Sequence, residues 1–186
     1  MLANGKKIAV EKVQNGQELM SLQLDGGMGK VKQNKVIRDH GIFPKEPWKG
    51  FKISWEGGFV YCTENQIFIL HDYNVIPAKE LVAGKHSLLG QGFAPIPVTL
   101  VESGTVMCGR KKIELEGSAD SMSGHIFPVG GVWLGDAFLE NQVESAAYTN
   151  YSDLYIYPGN VVLRTMRRVM MAMMGKREDL EEDEVS

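Results

Sequence analysis

The residues able to carry chemistry are few. The chain of 186 residues holds two cysteines, Cys62 and Cys108, and four histidines, His40, His71, His86 and His125. A thiol or hydroxyl activated by a base attacks carbonyl carbons, and Cys62, followed by Thr63, is the best nucleophile in the chain. The plainer reading of a cysteine in a strand is a small core residue. His125 is a general-base candidate, with a hydrogen-bonded structural histidine as the alternative. His71 and Asp72 are neighbours on a strand-like segment, so their side chains point to opposite faces. His40 and His86 have no companion at metal-ligand spacing, and there is no Cys-x-x-Cys pair, so neither a metal nor any other cofactor is expected. Ser121 and Ser123 lack a Gly-x-Ser-x-Gly context.

The elements that must position these residues read as short strands. Phe51 to Trp55 alternates apolar and polar, Gly57-Gly58 turns the chain, and Phe59 to Cys62 returns, giving a hairpin within Phe51 to Leu70. Asp25 to Gly29 is rich in glycine, but no Gly-Lys-Ser/Thr follows, so it reads as a hairpin turn and not as a phosphate loop. Val31 to Ile37, Val98 to Val101, Gly104 to Cys108 and Lys111 to Glu116 read as further strands, and Gly90 to Pro97 as a loop. Frequent turns between short strands indicate a mainly β core. A net charge of −3 and a sequence pI of about 5.8 give no global case for nucleic-acid binding. No run of eighteen apolar residues and no signal pattern occurs, so a membrane is not expected as a partner.

Three stretches together resemble the Hint (hedgehog/intein) family. Thr63-Glu64-Asn65-Gln66 matches its Thr-x-x-His motif with glutamine in place of histidine, and Ala78 to Lys85 matches the phrase Ala-x-x-Leu-x-x-Gly-Asp. Gly16-Gln17 stands where a Gly-Asp pair is usual, and no Cys, Ser or Thr precedes Gly5. His125, Phe127 and Gly131 match the closing motif, in which Gly135-Asp136 replaces His-Asn and Ala137 replaces the following nucleophile. The resemblance implies a Hint-like β-domain over residues 1–136. It also implies that the positions Thr63, Gln66, His125 and Asp136 belong to a degenerate motif. Glutamine does not titrate near neutral pH and cannot protonate a leaving amide, and an ionised aspartate cyclises far less readily than asparagine. The expectation is a chain without enzymatic activity.

Residues 137–186 read as an extension without clear period until a helix at about 160–174, followed by an acidic tail. Tyr148, Tyr151 and Tyr155 are candidate partner-binding residues. Met166, Met170 and Met173 lie on one apolar, methionine-rich stripe of that helix, suited to adaptable contacts or to core packing. The expected function is a non-catalytic structural subunit with protein partners, as a homo-oligomer or within a larger assembly. By analogy with the family it belongs to a phage virion, as a neck, tail or capsid-associated protein in the host cytoplasm or in the particle. Two alternatives stand beside it: an autoprocessing domain whose nucleophile is lost or relocated, and a peptide-binding module using an edge strand.

Overall fold

The computed structural model describes residues 1–2, 4–25, 28–42, 47–117 and 122–144. In chain order the strands are β1 (Glu18–Asp25), β2 (Met28–Ile42), β3 (Trp48–Trp55), β4 (Gly58–Cys62), β5 (Ile67–Ile69), β6 (Val75–Pro77), β7 (Ser87–Leu89), β8 (Pro95–Val106), β9 (Arg110–Leu115), β10 (Ile126–Val129) and β11 (Val132–Gly135), followed by helix α1 (Ala137–Glu144). They form three antiparallel sheets, ordered β1-β2-β9, β10-β11-β5-β6 and β4-β3-β8-β7. The isolated bridges Leu70↔Leu88 and Gly90↔Val132 stitch the sheets together.

The core follows from strands that are apolar on both faces. Successive side chains on a strand point to opposite sides, so Ile67 and Ile69 enter one apolar cluster while Phe68 enters another. Trp133 and its neighbours Val132 and Leu134 divide the same way, as do Leu89 and Leu88. Strands buried on both faces read as continuous apolar runs, which is the pattern of Ile67-Phe68-Ile69 and Val132-Trp133-Leu134. A third cluster, Val13, Leu19, Val36, Ile113, Leu115 and Phe127, sits beneath the β1-β2-β9 sheet.

Several sequence expectations change on inspection. Val98–Val101 and Gly104–Cys108 are not two strands: β8 runs unbroken from Pro95 to Val106, because β3 pairs with it from Trp48↔Val106 to Trp55↔Val98. Gly104 faces Gly50 there and does not interrupt the ladder. Pro95 to Pro97 belongs to β8 as well, paired with β7 beyond the end of β3, where strand prolines are tolerated. His71 and Asp72 lie in a turn, where Leu70 N–H donates to Asn74 O (2.8 Å) and Asp72 Oδ1 accepts from Asn74 N–H (3.1 Å). The turn from Gly90 to Ala94 repeats this geometry, and each turn holds an aromatic residue at positive φ, Tyr73 (64°) and Phe93 (65°). That conformation is costly for a non-glycine residue, and both rings are packed against the core. Helix α1 falls where no period was expected. The expected helix at 160–174 and the tail lie outside the described residues. No helix among the described residues is long and apolar enough to cross a membrane.

The turn after Leu81 is closed by His86, whose Nδ1 accepts from Val82 N–H at 3.0 Å. Burial and then the nearby Lys85 charge hold the His86 pKa below its ordinary 6.5. A folded-state pKa below the unfolded one means that the contribution is complete above pH 6.5 and is lost as pH falls through the folded value. Urea unfolding at pH 8 and pH 5 should therefore show a loss of stability in the wild type that is smaller in His86→Gln.

Candidate functional site

Asp136 lies between β11 and α1, and its buried carboxylate collects four donors. Oδ2 accepts from Leu115 N–H (2.8 Å) and from His125 Nδ1 (2.9 Å). Oδ1 accepts from Phe138 N–H (3.0 Å) and Leu139 N–H (3.2 Å), the first free amides of α1. The residue is an N-cap, a role its type favours strongly. Its own N–H donates to His125 O at 2.9 Å, so backbone and side chain both join the same two residues.

His125 is 3% exposed and precedes β10. Its ring stacks on Phe138, with centroids 4.1 Å apart and planes at 20°. Nδ1 faces the Asp136 carboxylate, and the buried Nε2 has no hydrogen-bond partner. A Cβ on Gly117 would stand 2.4 Å from Nε2, so the ring keeps its place only because residue 117 is glycine.

The third contributor is Gln66. Its Nε2 donates to Gly135 O at 2.8 Å, across from β5 to the end of β11, and also lies 3.3 Å from Ile67 O. The phrase that follows in sequence sets this turn: Ala78 N–H donates to Gln66 O (2.9 Å) and Lys79 N–H to Glu64 O (3.0 Å), while Ala78 and Leu81 are buried below. Lys79 Nζ reaches Asn65 Oδ1 at 3.0 Å. Thr63 Oγ1 is buried without a partner in the same turn.

Three of the four motif residues named from sequence, Gln66, His125 and Asp136, thus converge on the Gly135–Asp136 peptide. Cys62 does not join as a nucleophile. It is buried, and desolvation followed by the charge of Glu140 pushes its thiol pKa far up, which keeps it protonated. Cys108 is exposed in the connection between β8 and β9, and both thiols are free. His40 lines a shallow cleft of about 250 Å³ with Arg38, Lys112, Glu114, Asn141 and Ala137, the residue that follows Asp136. Among the described residues no group of three His, Cys, Asp or Glu side chains could hold a metal ion. Tyr148, Tyr151, Tyr155, Met166, Met170 and Met173 lie outside the described residues.

Sequence reasoning missed Gly117, Phe138 and the capping role of Asp136. The last had a signal, an aspartate directly before an apolar run with a glutamate, Glu140, in the first turn. Gly117 had none, because it depends on a contact across the fold.

No family model matches the chain, and no curated protein matches its sequence. Solved structures do. A bacterial intein-like domain from Clostridium thermocellum superposes with a TM-score of 0.60 at 15% identity, covering 73% of this chain and 91% of that one. A DnaB intein from Synechocystis gives 0.58 at 15% identity, covering 73% and 92%. The gp41-1 intein gives 0.50 at 19% identity, covering 73% and 92%. The chain has the Hint fold of intein and intein-like domains. The expectation of a chain without enzymatic activity is corrected on this finding. Its structural neighbours are inteins and an intein-like domain, and Gln66 and Asp136, from which inertness was inferred, are both hydrogen-bonded at the Gly135–Asp136 peptide.

Gly117→Ala should force the buried His125 ring from its place and lower stability by about 1–3 kcal/mol, the usual cost of overpacking. Denaturant unfolding measures the loss, and the His125 ring resonances in NMR should move with it.

Proposed function

We propose that this chain is a self-processing domain of Hint fold that acts on its own backbone at the segment Gly135 to Ala137. The observation that carries this reading is the buried pair of His125 Nδ1 and Asp136, next to a peptide whose Gly135 carbonyl is held by Gln66. A carboxylate paired with an imidazole can accept and return a proton. A carbonyl with a fixed donor is prepared for charge on its oxygen. A cleft is lined by Ala137, one residue beyond the buried Asp136. The buried, protonated Cys62 is not required, since water can serve as the attacking group.

The test is the covalent mass of the full chain followed over days at pH 6–9. The expected result is slow loss of the 20.6 kDa species, with fragments ending near residue 136, and their absence in a folded His125→Gln variant. A full-length mass throughout, with and without added thiol or hydroxylamine, would overturn the reading.

A second role, recognition of an extended peptide, is supported by edge strand β4. Phe59 and Tyr61 are 57% and 44% exposed, form an edge-to-face pair 5.6 Å apart, and carry Lys52 over the Phe59 ring. A peptide that adds a strand there gains backbone hydrogen bonds and aromatic contacts. Such a partner accords with the expected protein contacts. Phe59→Asp should weaken capture of an extended apolar peptide at least roughly tenfold, as expected for loss of an aromatic anchor. Equal affinity of variant and wild type in fluorescence titration removes this role.

A further inference from the structure

We infer that Gln66 is a catalytic residue, the donor that selects the Gly135–Asp136 bond for hydrolysis. The inference rests on the self-processing reading above and adds which bond breaks and which group stabilises the charge. Gln66 stands where the resemblance places a histidine that protonates a leaving amide. In this structure its Nε2–H instead meets a carbonyl oxygen, Gly135 O, at 2.8 Å, the distance of a strong neutral hydrogen bond. That oxygen becomes the oxyanion when its carbon is attacked. Strand pairing does not explain the contact, because β11 meets β5 at Leu134↔Phe68 and the ladder stops before Gly135. The side chain of Gln66 extends it by one bond, onto the residue before Asp136.

The nitrogen on the other side of that bond is also held. Asp136 N–H donates to His125 O at 2.9 Å, and the Asp136 carboxylate bonds His125 Nδ1 at 2.9 Å. Water adds its oxygen to the Gly135 carbonyl carbon and gives a proton to the Asp136 carboxylate, which His125 Nδ1 meets at 2.9 Å. The carbonyl oxygen takes the negative charge facing Gln66 Nε2–H. The carbon–nitrogen bond then breaks, and the Asp136 nitrogen recovers the proton from its own carboxyl group. The products are a carboxyl group on Gly135 and an amine on Asp136. No oxidant, thiol or cofactor takes part. A Cβ on Gly135 would meet Ile67 Cβ at 2.8 Å, so the carbonyl's seat against the Gln66 turn also depends on glycine.

The experiment incubates wild type, Gln66→Leu and Gln66→His, each checked for folding by circular dichroism, in water enriched in oxygen-18, and maps fragments by mass. The expected cut lies between Gly135 and Asp136, with one heavy oxygen on Gly135. Gln66→Leu, which keeps the shape and loses the donor, should slow it roughly a hundredfold, as loss of an oxyanion donor does. Gln66→His restores a donor that titrates, so its pH–rate profile should gain one further step, near about 6.5, beyond any that the wild type shows. A purely structural glutamine would change the melting temperature without moving the cut site or the pH profile. A cut elsewhere, or an unchanged rate in folded Gln66→Leu, overturns the role of Gln66 and leaves self-processing in place. No cut in the wild type overturns both.

Discussion

The carboxylate of Asp136 is the constraint on which the site depends. It is 1% exposed and accepts from β9, from His125 and from the first turn of α1. A carboxylate taken from water is tolerated only when its lone pairs are engaged. Here the donors come from three separate segments, so the residue fixes the end of β11, the start of the helix and the orientation of the imidazole together. Removing it would leave buried amides without acceptors, each at a cost of about 1–3 kcal/mol.

Around that point the fold acts as a frame of short strands. β5 and β11 are apolar on both faces and are locked by Phe68, Trp133 and Leu134. They carry the two sides of the site at their ends, Gln66 just before β5 and Gly135 closing β11. Sites at the ends of rigid strands hold their geometry better than sites on long loops. A second anchor lies on β2, opposite Ile113 of β9. There Asn15 N–H and Lys111 Nζ both donate to the Asp39 carboxylate and, with the amide hydrogen bond the larger influence, hold its pKa below the ordinary value of 3.8.

Much of this was legible in the sequence. The alternation in Phe51 to Cys62 and the apolar runs around Ile67 and Val132 name the strands, since side-chain period reports which faces are buried. The motif positions Gln66, His125 and Asp136 were named from the resemblance. Gln66 and Asp136 were judged against the chemistry of the residues they replace, and not by what they bond. Pairwise geometry across 69 positions, from Gln66 to Gly135, has no local signature. The division of β8 into two strands failed for a related reason. Gly104 breaks a propensity pattern but not a ladder whose partner strand supplies the hydrogen bonds. The aromatic residues at positive φ, Tyr73 and Phe93, were equally hidden, because core packing overrides local preference there.

The shared carboxylate also makes the imidazole and the helix a coupled pair. Whatever shifts α1 away from Asp136 changes the energy of placing a proton on His125. By reciprocity, protonating His125 changes the energy of detaching α1 by the same amount. Helix α1 is therefore a handle on the buried ring, and a ligand gripping it would act on the interior as an allosteric effector.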